Sequence, residues 1–449
     1  MSPVNYLIVE PTNNIHHSAW IPSSKPETQR AILAATLAGG KSKVYNDLRC
    51  LETHTMKEAC RSIGARIIEE SDHLIIYGTG GKISPESKVI DALGSGLVFR
   101  VLTAITCFCD KPAVISGDSI LRNRVMEPLL NALNSLGANL SSIHMNGKAP
   151  FINWGGYIGG TCEIVGNISS QFITAILFAA PLAQKSTTLR ITEEILSLSY
   201  IRQTLEVLKI SGIRFSHNQY FSEITIFPGV YQPAEYNITG DYTSCSYLVA
   251  AATLFPCDVT LKNINSNSLQ GEQAILHFVE KMGVEVSRND EQNELRLVNK
   301  TGRLQGDFSF DVIDCPNIIP TLAALGSFVN GTFRITGGSI TRFHKSPRIK
   351  AMVSELKKLG VNIYPLFKNG VYDGFEIYGA ASYKGGCLLS SWGDHRIFMS
   401  LFVASLRCQY ANRLDGYEDV HCSFPDFFKE FQQLGVNFKE EKSQADKVT

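Results

Sequence analysis

Hydrophobic and polar positions follow a pattern that repeats six times along the chain. In each repeat an amphipathic run ends at a hydrophobic residue and a glycine, and a strand-like run follows, as in "SIGARII", "KMGVEV" and "QLGVNF". The glycines recur at intervals of 71 to 77 residues, at Gly64, Gly137, Gly212, Gly283, Gly360 and Gly435. Glycine adopts the left-handed conformation that closes a helix at no steric cost. The repeat therefore predicts that each glycine ends an outer helix just before a strand.

A second series of apolar, alanine-rich runs lies between these glycines. The runs begin near Lys25, Gly96, Ser170, Ser244, Asn317 and Asp394. A helix with apolar residues on nearly all sides is buried rather than lying on a surface. Short β-branched stretches such as "LRITEE" and "TFRITGG" separate the helices and predict strands. Each of the six units is therefore predicted as strand, buried helix, strand, outer helix and two strands, a βαβαββ unit.

Six such units indicate an α/β protein with two lobes of three units each. A chain of 449 residues is longer than one hydrophobic core usually serves, which also favours two domains. Residues from about 440 to 449 are polar, and we expect a disordered tail there.

Composition and charge exclude several functional classes. The chain has 42 Lys and Arg residues against 42 Asp and Glu residues, so no net charge favours nucleic acid or a membrane surface. The longest apolar stretches are shorter than the ~20 residues that span a bilayer. The first 24 residues contain no Lys or Arg, unlike a signal peptide. The eleven cysteines show no CxxC pair or zinc-like spacing, so we expect reduced thiols, no metal site and a cytoplasmic location.

The starts of the buried helices carry polar residues that suit an anion. A helix N-terminus offers unpaired N–H groups and about half a positive charge, and parallel helices gather these ends on one face, where phosphate binds. Arg30, Arg124, Arg348 and Arg396 stand at the heads of helices, where a cation opposes the helix dipole. Together with Lys25, they predict an acidic ligand.

Six units in two lobes, with motifs such as "SSKPETQR", "GNISSQF" and "WGDHR" in this order, resemble the 5-enolpyruvylshikimate-3-phosphate (EPSP) synthase family. The resemblance runs from about Ile21 to Phe428. It implies a two-lobed inverse α/β barrel-like fold, with one lobe at residues 24–240 and the other at 1–23 together with 241–449. It also implies a transferase of the shikimate pathway of aromatic amino acid biosynthesis. The ligands it implies are shikimate 3-phosphate and phosphoenolpyruvate (PEP), with no cofactor. The related UDP-N-acetylglucosamine enolpyruvyl transferases pair the opening lysine with an asparagine, whereas here Arg30 follows Lys25, which favours the shikimate branch.

The resemblance implies two overlapping sets of binding residues. In the first, the serines hold the phosphate of the ring substrate, and Arg30 pairs with its carboxylate. That substrate-binding set is Lys25, Arg30, Ser169, Ser170, Gln171, Ser197 and Tyr200. The set implied to surround PEP or its phosphate is Lys25, Gly96, Arg124, Gln171, Arg348 and Arg396.

Several positions depart from the family pattern. Pro26 replaces a serine and removes both a hydroxyl and an N–H. Asn317 stands where the family has an acid/base aspartate, and Lys345 where it has a proton-shuttling glutamate. His344 replaces the lysine beside that glutamate, and Cys422 replaces a lysine before Ser-Phe-Pro. These departures fall on the residues that would move protons and hold PEP.

Enolpyruvyl transfer needs a group to protonate the PEP methylene and bases for the attacking hydroxyl and the methyl proton. Asn317 cannot act as a base, and Lys345 reverses the charge of a carboxylate. A positioned acid or base contributes about 10²- to 10⁴-fold in rate, so the standard reaction should nearly disappear unless other groups substitute. The candidate catalytic residues are Asn317, His344, Lys345, Asp314, Asp394 and His395.

Three hypotheses about function follow. The favoured one is a diverged enzyme that binds shikimate 3-phosphate or a similar phosphorylated cyclic acid and does other chemistry, such as a lyase reaction eliminating the ring phosphate. The second is a genuine EPSP synthase with relocated acid/base groups, and the third is a ligand-binding relative without activity. In each case we expect a monomer whose partner is a small phosphorylated carboxylate.

Overall fold

Outer and buried helices alternate along the chain, as the repeat predicts. The computed structural model describes residues 5–85 and 89–442. Within these ranges the α-helices are α1 (Lys25–Leu37), α2 (Leu51–Ser62), α3 (Gly96–Ile105), α4 (Ser119–Arg122), α5 (Glu127–Ser135), α6 (Ser170–Ala179), α7 (Leu198–Ile210), α8 (Tyr242–Leu254), α9 (Ala274–Lys281), α10 (Ile319–Gly326), α11 (Arg348–Lys358), α12 (His395–Ser405) and α13 (Phe427–Gln433). All residues of α3, α8, α10 and α12 are buried, which confirms the predicted central helices.

Each glycine of the repeat closes an outer helix. The helices α2, α5, α7, α9, α11 and α13 all end two residues before such a glycine. The backbone φ angles of the six glycines lie between 76° and 109°, a region that favours glycine because it has no Cβ. The sequence prediction for these helix ends is confirmed.

Strands occupy the segments between the helices. In the first half of the chain they are β1 (Tyr6–Val9), β2 (Ser18–Trp20), β3 (Lys41–Tyr45), β4 (Arg66–Glu69), β5 (His73–Tyr77), β6 (Val89–Asp91), β7 (Ala113–Ser116), β8 (Leu140–Ser142), β9 (Phe151–Asn153), β10 (Gly160–Val165), β11 (Thr187–Thr192), β12 (Phe215–His217), β13 (Glu223–Ile226) and β14 (Glu235–Asn237). In the second half they are β15 (Cys257–Lys262), β16 (Glu285–Asn289), β17 (Glu294–Asn299), β18 (Leu304–Gln305), β19 (Phe308–Asp311), β20 (Val329–Asn330), β21 (Thr332–Thr336), β22 (Asn362–Lys368), β23 (Val371–Tyr378), β24 (Tyr383–Gly385), β25 (Leu388–Leu389), β26 (Cys408–Tyr410), β27 (Asn412–Asp415) and β28 (Phe438–Glu441).

The chain divides into two compact units. We call residues 23–239 the N unit, and residues 1–22 with 240–449 the C unit. Each unit has its own hydrophobic core. The N unit contains the four-stranded sheets β14-β3-β5-β4, β6-β7-β9-β8 and β10-β11-β13-β12, and the C unit contains β16-β17-β15-β2, β19-β21-β23-β22 and β25-β27-β1-β28.

All six of these sheets share one pattern, with one parallel pair followed by two antiparallel pairs. In four of the six sheets the parallel pair brackets a buried helix, as a crossover connection requires. Two of the βαβαββ repeats exchange their first strand. Strand β2 precedes α1 but pairs with β15, and β14 precedes α8 but pairs with β3. The six predicted βαβαββ units are therefore present, three in each part of the chain, except that β1, near the start of the chain, supplies one of the two final strands of the sixth unit.

Three details differ from the sequence prediction. Helix α8 begins at Tyr242, ahead of the predicted start near Ser244, because the Asp241 side chain caps it by accepting from the Ser244 N–H. Helix α10 begins at Ile319, after the 3₁₀ turn Pro316–Ile318. The predicted tail from about 440 overlaps strand β28, and its part beyond 442 lies outside the described residues. In the described ranges, no helix has both the length and the apolar character needed to cross a membrane.

Candidate functional site

Side-chain hydrogen bonds join the starts of three buried helices in the N unit. The Gln29 amide, in the second turn of α1, donates to the hydroxyl of Ser95, the residue that precedes α3, over 3.4 Å. Arg100 Nη1 of α3 donates to Gln171 Oε1, in the first turn of α6, over 2.5 Å. The polar groups at these helix starts therefore lie close together, as the argument from parallel helices expected.

Two arginine side chains converge on the head of α3. A Cβ atom placed on Gly96 would lie 2.4 Å from Arg100 Nη1, 2.9 Å from Arg124 Nη1 and 3.2 Å from Gln171 Oε1. Any larger residue at this position would displace the guanidinium groups. Burial, together with repulsion from Arg124, lowers the pKa of Arg100 to about 9. Two cations held together at a helix N-terminus are an arrangement that suits an anion.

Arg100 was not predicted from the sequence as a site residue. It is 5% exposed, and its Nε has no hydrogen-bond partner within residues 5–85 and 89–442. The signal was present, since Arg100 is the one charged residue in the apolar helix "GLVFRVLTAI". A charge at such a position needs a partner, and a bound anion supplies one.

Arg30 of α1 is fully buried against α6 and α7. Its guanidinium donates to Thr204 Oγ1 at 2.9 Å, to the Pro26 carbonyl at 3.0 Å and, at longer range, to Thr174 Oγ1 and the Tyr200 carbonyl. The guanidinium carbon also lies 5.7 Å from the centre of the Tyr200 ring. Burial lowers the pKa of Arg30 to about 10, so the group stays charged at neutral pH. Its hydrogen-bond acceptors are neutral oxygens, and attraction to the Glu27 carboxylate partly offsets the effect of burial on its pKa.

The three predicted phosphate-binding serines stand at the heads of α6 and α7, which pack against each other. Ser169 caps α6, its Oγ accepting from the Gln171 N–H over 3.3 Å, and Ser170 is the first residue of that helix. Ser197 precedes α7 in the left-handed region, with φ at 63°. A non-glycine residue in this region costs about 1–2 kcal/mol and persists where its surroundings fix it.

Lys25 opens α1 and is already paired. Its Nζ donates to Glu52 Oε1 over 2.9 Å, and Ser95 Oγ lies 3.5 Å from the other oxygen of that carboxylate. Glu52 is a second residue that the sequence argument missed. Pro26 follows in the first turn, where a missing N–H breaks no intrahelical bond but removes a donor from the helix end. The Lys25 side chain is therefore paired with a carboxylate of the protein itself.

In the C unit, Asp394 organises the head of α12. Its Oδ2 accepts from Arg348 Nε and from Ser346 Oγ, both at 2.9 Å, and its Oδ1 accepts from the Arg396 N–H at 3.0 Å. Burial alone raises the pKa of this carboxyl, but attraction to Arg348 and His395, with these hydrogen bonds, outweighs it and holds the pKa well below its usual range. Asp394 thus suits the positioning of arginines better than proton transfer.

Asn317 bridges a carboxylate and a guanidinium. Its Nδ2 donates to Glu272 Oε1 over 3.0 Å, and its Oδ1 accepts from Arg348 Nη1 over 3.0 Å. It lies in the 3₁₀ turn Pro316–Ile318, three residues after Asp314. Glu272 is 1% exposed and is a third residue that the sequence argument did not identify.

Lys345 lies near the segment that carries Cys422. Its Nζ donates to Asp419 Oδ2 over 3.2 Å, and Asp419 belongs to the 3₁₀ helix Tyr417–Cys422. His344 ends the 3₁₀ helix Ser339–Phe343, with its backbone N–H bonded to the Thr341 carbonyl. His395, in the first turn of α12, is 6% exposed, with Nδ1 3.9 Å from Asp394. In the described part of the chain, no group of three His, Cys, Asp or Glu side chains could hold a metal ion.

Comparison with known proteins gives one family. A model of the family EPSP synthase (3-phosphoshikimate 1-carboxyvinyltransferase) matches residues 9–431. The 3-phosphoshikimate 1-carboxyvinyltransferase of Methanosarcina acetivorans is 36% identical over 431 residues, covering 95% of this chain and 97% of the relative. The protein of the same name from Methanocaldococcus jannaschii is 34% identical over 438 residues, covering 96% of this chain and 99% of the relative.

Solved structures show the same fold. An EPSP synthase from Acinetobacter baumannii superposes with a TM-score of 0.82 at 22% identity, covering 97% of this chain and 100% of that one. The enolpyruvyl transferase NikO from Streptomyces tendae superposes with a TM-score of 0.77 at 15% identity, covering 98% and 100%. At these identities the likeness concerns the two-lobed α/β fold alone.

Proposed function

The chain belongs to the EPSP synthase family, and on that premise we propose that it binds shikimate 3-phosphate, or a similar phosphorylated cyclic acid, and catalyses a reaction that has diverged from enolpyruvyl transfer. Its curated relatives are named for the transfer of the carboxyvinyl group to 3-phosphoshikimate. The proposal assigns the ring substrate to the N unit. There Arg30 offers a buried charge for a carboxylate, and the heads of α6 and α7 offer serine hydroxyls for a phosphate.

The observation that carries the divergence is the environment of Asn317. Its amide is held between Glu272 and Arg348, at the position where the family resemblance places an acid/base aspartate. An amide neither accepts nor releases a proton at neutral pH. Lys345, at the position of the expected glutamate, is an ammonium paired with Asp419. Two groups that would move protons are thus replaced by groups that cannot do so in the same way.

Elimination of the ring phosphate is the specific reaction we propose. In it the C–O bond between ring and phosphate breaks with its electron pair going to the phosphate. A proton leaves a neighbouring ring carbon, and a C=C bond forms in the ring. A general base, or water acting as one, takes that proton. The reaction requires the phosphate-binding serines but no PEP.

One observation favours a second candidate function, genuine enolpyruvyl transfer from PEP. The Glu272 carboxylate lies 3.0 Å from the Asn317 amide, so an acid/base group exists one side chain away from the expected place. A ligand-binding relative without turnover is the third reading of the same site.

A single experiment separates the three. The protein is incubated with shikimate 3-phosphate, with and without PEP, and phosphorus NMR follows free phosphate and enolpyruvyl product. Phosphate release without PEP supports elimination, whereas phosphate release that needs PEP and yields enolpyruvyl product supports the second candidate. Binding by calorimetry with no product in either sample supports the third reading, and absence of binding contradicts the proposal.

A further inference from the structure

Glu272 is a buried carboxylate that neither the sequence motifs nor the resemblance identified. It lies in the 3₁₀ turn Gly271–Gln273, and the residue before that turn is firmly held. Gln270 Oε1 accepts from the Tyr242 N–H, and Gln270 Nε2 donates to the Gly240 carbonyl, both over 2.8 Å. The turn is thereby fixed to the start of α8, and Glu272 has a defined position beside Asn317.

A line of hydrogen bonds runs from Glu272 to the arginine of α11. Glu272 Oε1 accepts from Asn317 Nδ2, and Asn317 Oδ1 accepts from Arg348 Nη1, each over 3.0 Å. Arg348 Nε donates in turn to Asp394 Oδ2 over 2.9 Å. All four side chains belong to the C unit, and Arg348 is 5% exposed.

The direction of the Asn317 amide depends on the carboxylate. An amide has a donor end and an acceptor end, and it can rotate to exchange them. An ionised carboxylate only accepts, so it selects the orientation in which Nδ2 points toward Glu272. The carbonyl end then necessarily points toward Arg348. Arg348 only donates, so it also favours the carbonyl end. Without Glu272, the NH₂ end of the amide would lose its acceptor, and the amide would be held at one end instead of two.

Arg348 is consequently fixed at two of its three nitrogens. Asp394 holds Nε and Asn317 holds Nη1, while Nη2 has no hydrogen-bond partner within residues 5–85 and 89–442. A guanidinium held in one plane presents its remaining N–H groups in one direction. That arrangement suits a carboxylate or phosphate oxygen, because little side-chain entropy is lost on binding.

We propose that Glu272 is a positioning residue that acts through Asn317 to orient Arg348 toward an anionic ligand. The inference rests on the proposed function in one respect, that Arg348 contacts the ligand. Glu272 itself need not touch the ligand, and its effect should disappear when Asn317 no longer transmits it. A residue that merely supports the fold would not show this dependence.

The test is a set of binding measurements by calorimetry with PEP as the anionic probe. Glu272→Gln keeps the size of the side chain but removes its charge and lets it donate as well as accept, so the NH₂ end of the Asn317 amide is held less firmly. We expect PEP binding to weaken about tenfold, the loss of one charge-assisted hydrogen bond. Arg348→Ala gives the full loss for comparison. Glu430→Gln is the matched control, because Glu430 is 2% exposed in the C unit and accepts from the distant Trp20 N–H.

Two further backgrounds make the test specific. In the Asn317→Ala background, Glu272→Gln should change PEP affinity less than twofold, because the link is already broken. In the Asn317→Asp background, a carboxylate meets Arg348 directly and repels the neighbouring Glu272, so Glu272→Gln should relieve that repulsion and not weaken PEP binding. Thermal unfolding of every variant is measured beside the Glu430→Gln control. If Glu272→Gln alone is poorly folded, the effect of Glu272→Gln in the two Asn317 backgrounds decides the test.

Each outcome bears on one claim. If Glu272→Gln weakens PEP binding equally in all three backgrounds, or no more than Glu430→Gln does, the positioning role is overturned. The role is likewise overturned if the unmodified protein binds PEP no better than Arg348→Ala. Shikimate 3-phosphate, titrated separately, tests the proposed function, and its failure to bind would contradict that proposal without touching the result for Glu272.

Discussion

At the scale of single residues, buried guanidinium groups give the strongest indication of an acidic ligand. Arg30 donates its hydrogen bonds to neutral oxygens, and Arg100, in an apolar helix, lies near Arg124. A buried charge without an opposite partner is expensive, so such positions persist where a ligand uses them. Arg30 was predictable because it lies in the first turns of a helix within a recognisable motif. Arg124 was predictable from its motif alone, since it lies between α4 and α5 and not at the head of a helix as expected. Arg100 was not predictable, because its contacts are with another helix, and the sequence around Arg100 does not indicate which one.

Replacing Arg30 by alanine should weaken binding of shikimate 3-phosphate at least tenfold. The reason is the loss of charge-assisted hydrogen bonds, each contributing about 1.5–3 kcal/mol. Calorimetry on the two proteins measures the change. Arg190→Ala is the control, since Arg190 is exposed in β11 of the same unit and pairs with Glu223. Equal affinity in Arg30→Ala and the unmodified protein would exclude Arg30 from the site.

Replacing Arg100 by methionine should stabilise the ligand-free protein while weakening its binding of PEP. Methionine fills a similar apolar volume, removes a buried charge and relieves the repulsion from Arg124, for a gain of about 1 kcal/mol or more. Urea unfolding measures the first effect and PEP titration the second. A variant that is less stable yet binds PEP normally would show that Arg100 serves the fold and not the ligand.

At the scale of elements, the hydrophobic pattern predicts where helices lie, and local chemistry decides where they begin. The six glycines fixed the ends of the outer helices because the left-handed conformation is a local requirement. The start of α8 was harder to predict, because Asp241 rather than a later residue supplies the cap. Glu52 and Glu272 were not predicted for another reason. Each contacts a residue more than twenty positions away along the chain, Lys25 for Glu52 and Asn317 for Glu272.

Replacing Asp394 by asparagine should destabilise the head of α12 strongly at neutral pH. Its loss leaves Arg348 buried without its carboxylate, at a cost of about 3–5 kcal/mol. Because the folded pKa of Asp394 lies below the unfolded value of about 3.9, the carboxylate stabilises the protein above that pH. This contribution declines as the pH falls below about 4.

Urea unfolding of the unmodified protein and of Asp394→Asn from pH 7 to pH 3 checks this sign. The difference in unfolding free energy should stay constant down to about pH 5 and shrink below pH 4. A difference that grows on acidification would contradict the assignment of an ionised, arginine-paired Asp394.

At the scale of the whole molecule, the sixfold repeat predicted the α/β fold, but periodicity alone does not say which sheet each short strand joins. Strands β2 and β14 have three residues each, and each pairs with a strand in the other half of the sequence. Nothing in such short segments selects the partner, since the choice depends on how complete units pack. The boundaries near residues 23 and 240 followed from the family resemblance rather than from the repeat.

Proton transfer is also a property of the whole molecule, because the groups that move protons act together. Changing Lys345 to glutamate alone should restore little PEP-dependent turnover, since Asn317 would still be an amide. Effects within such a set are strongly non-additive, so only Asn317→Asp combined with Lys345→Glu should raise the rate by about 10²-fold or more. A large gain from Lys345→Glu alone, in a coupled assay for phosphate, would show that the amide at 317 is not limiting.

The steady-state rate of enolpyruvyl product formation from PEP and shikimate 3-phosphate, measured beside an ordinary EPSP synthase, tests the divergence most directly. With Asn317 held as an amide between Glu272 and Arg348, and Lys345 paired with Asp419, the rate should be lower by about 10²- to 10⁴-fold or more. Ordinary PEP-dependent turnover by the unmodified protein would contradict the divergence and assign the proton transfers to groups such as Glu272, His344 or His395.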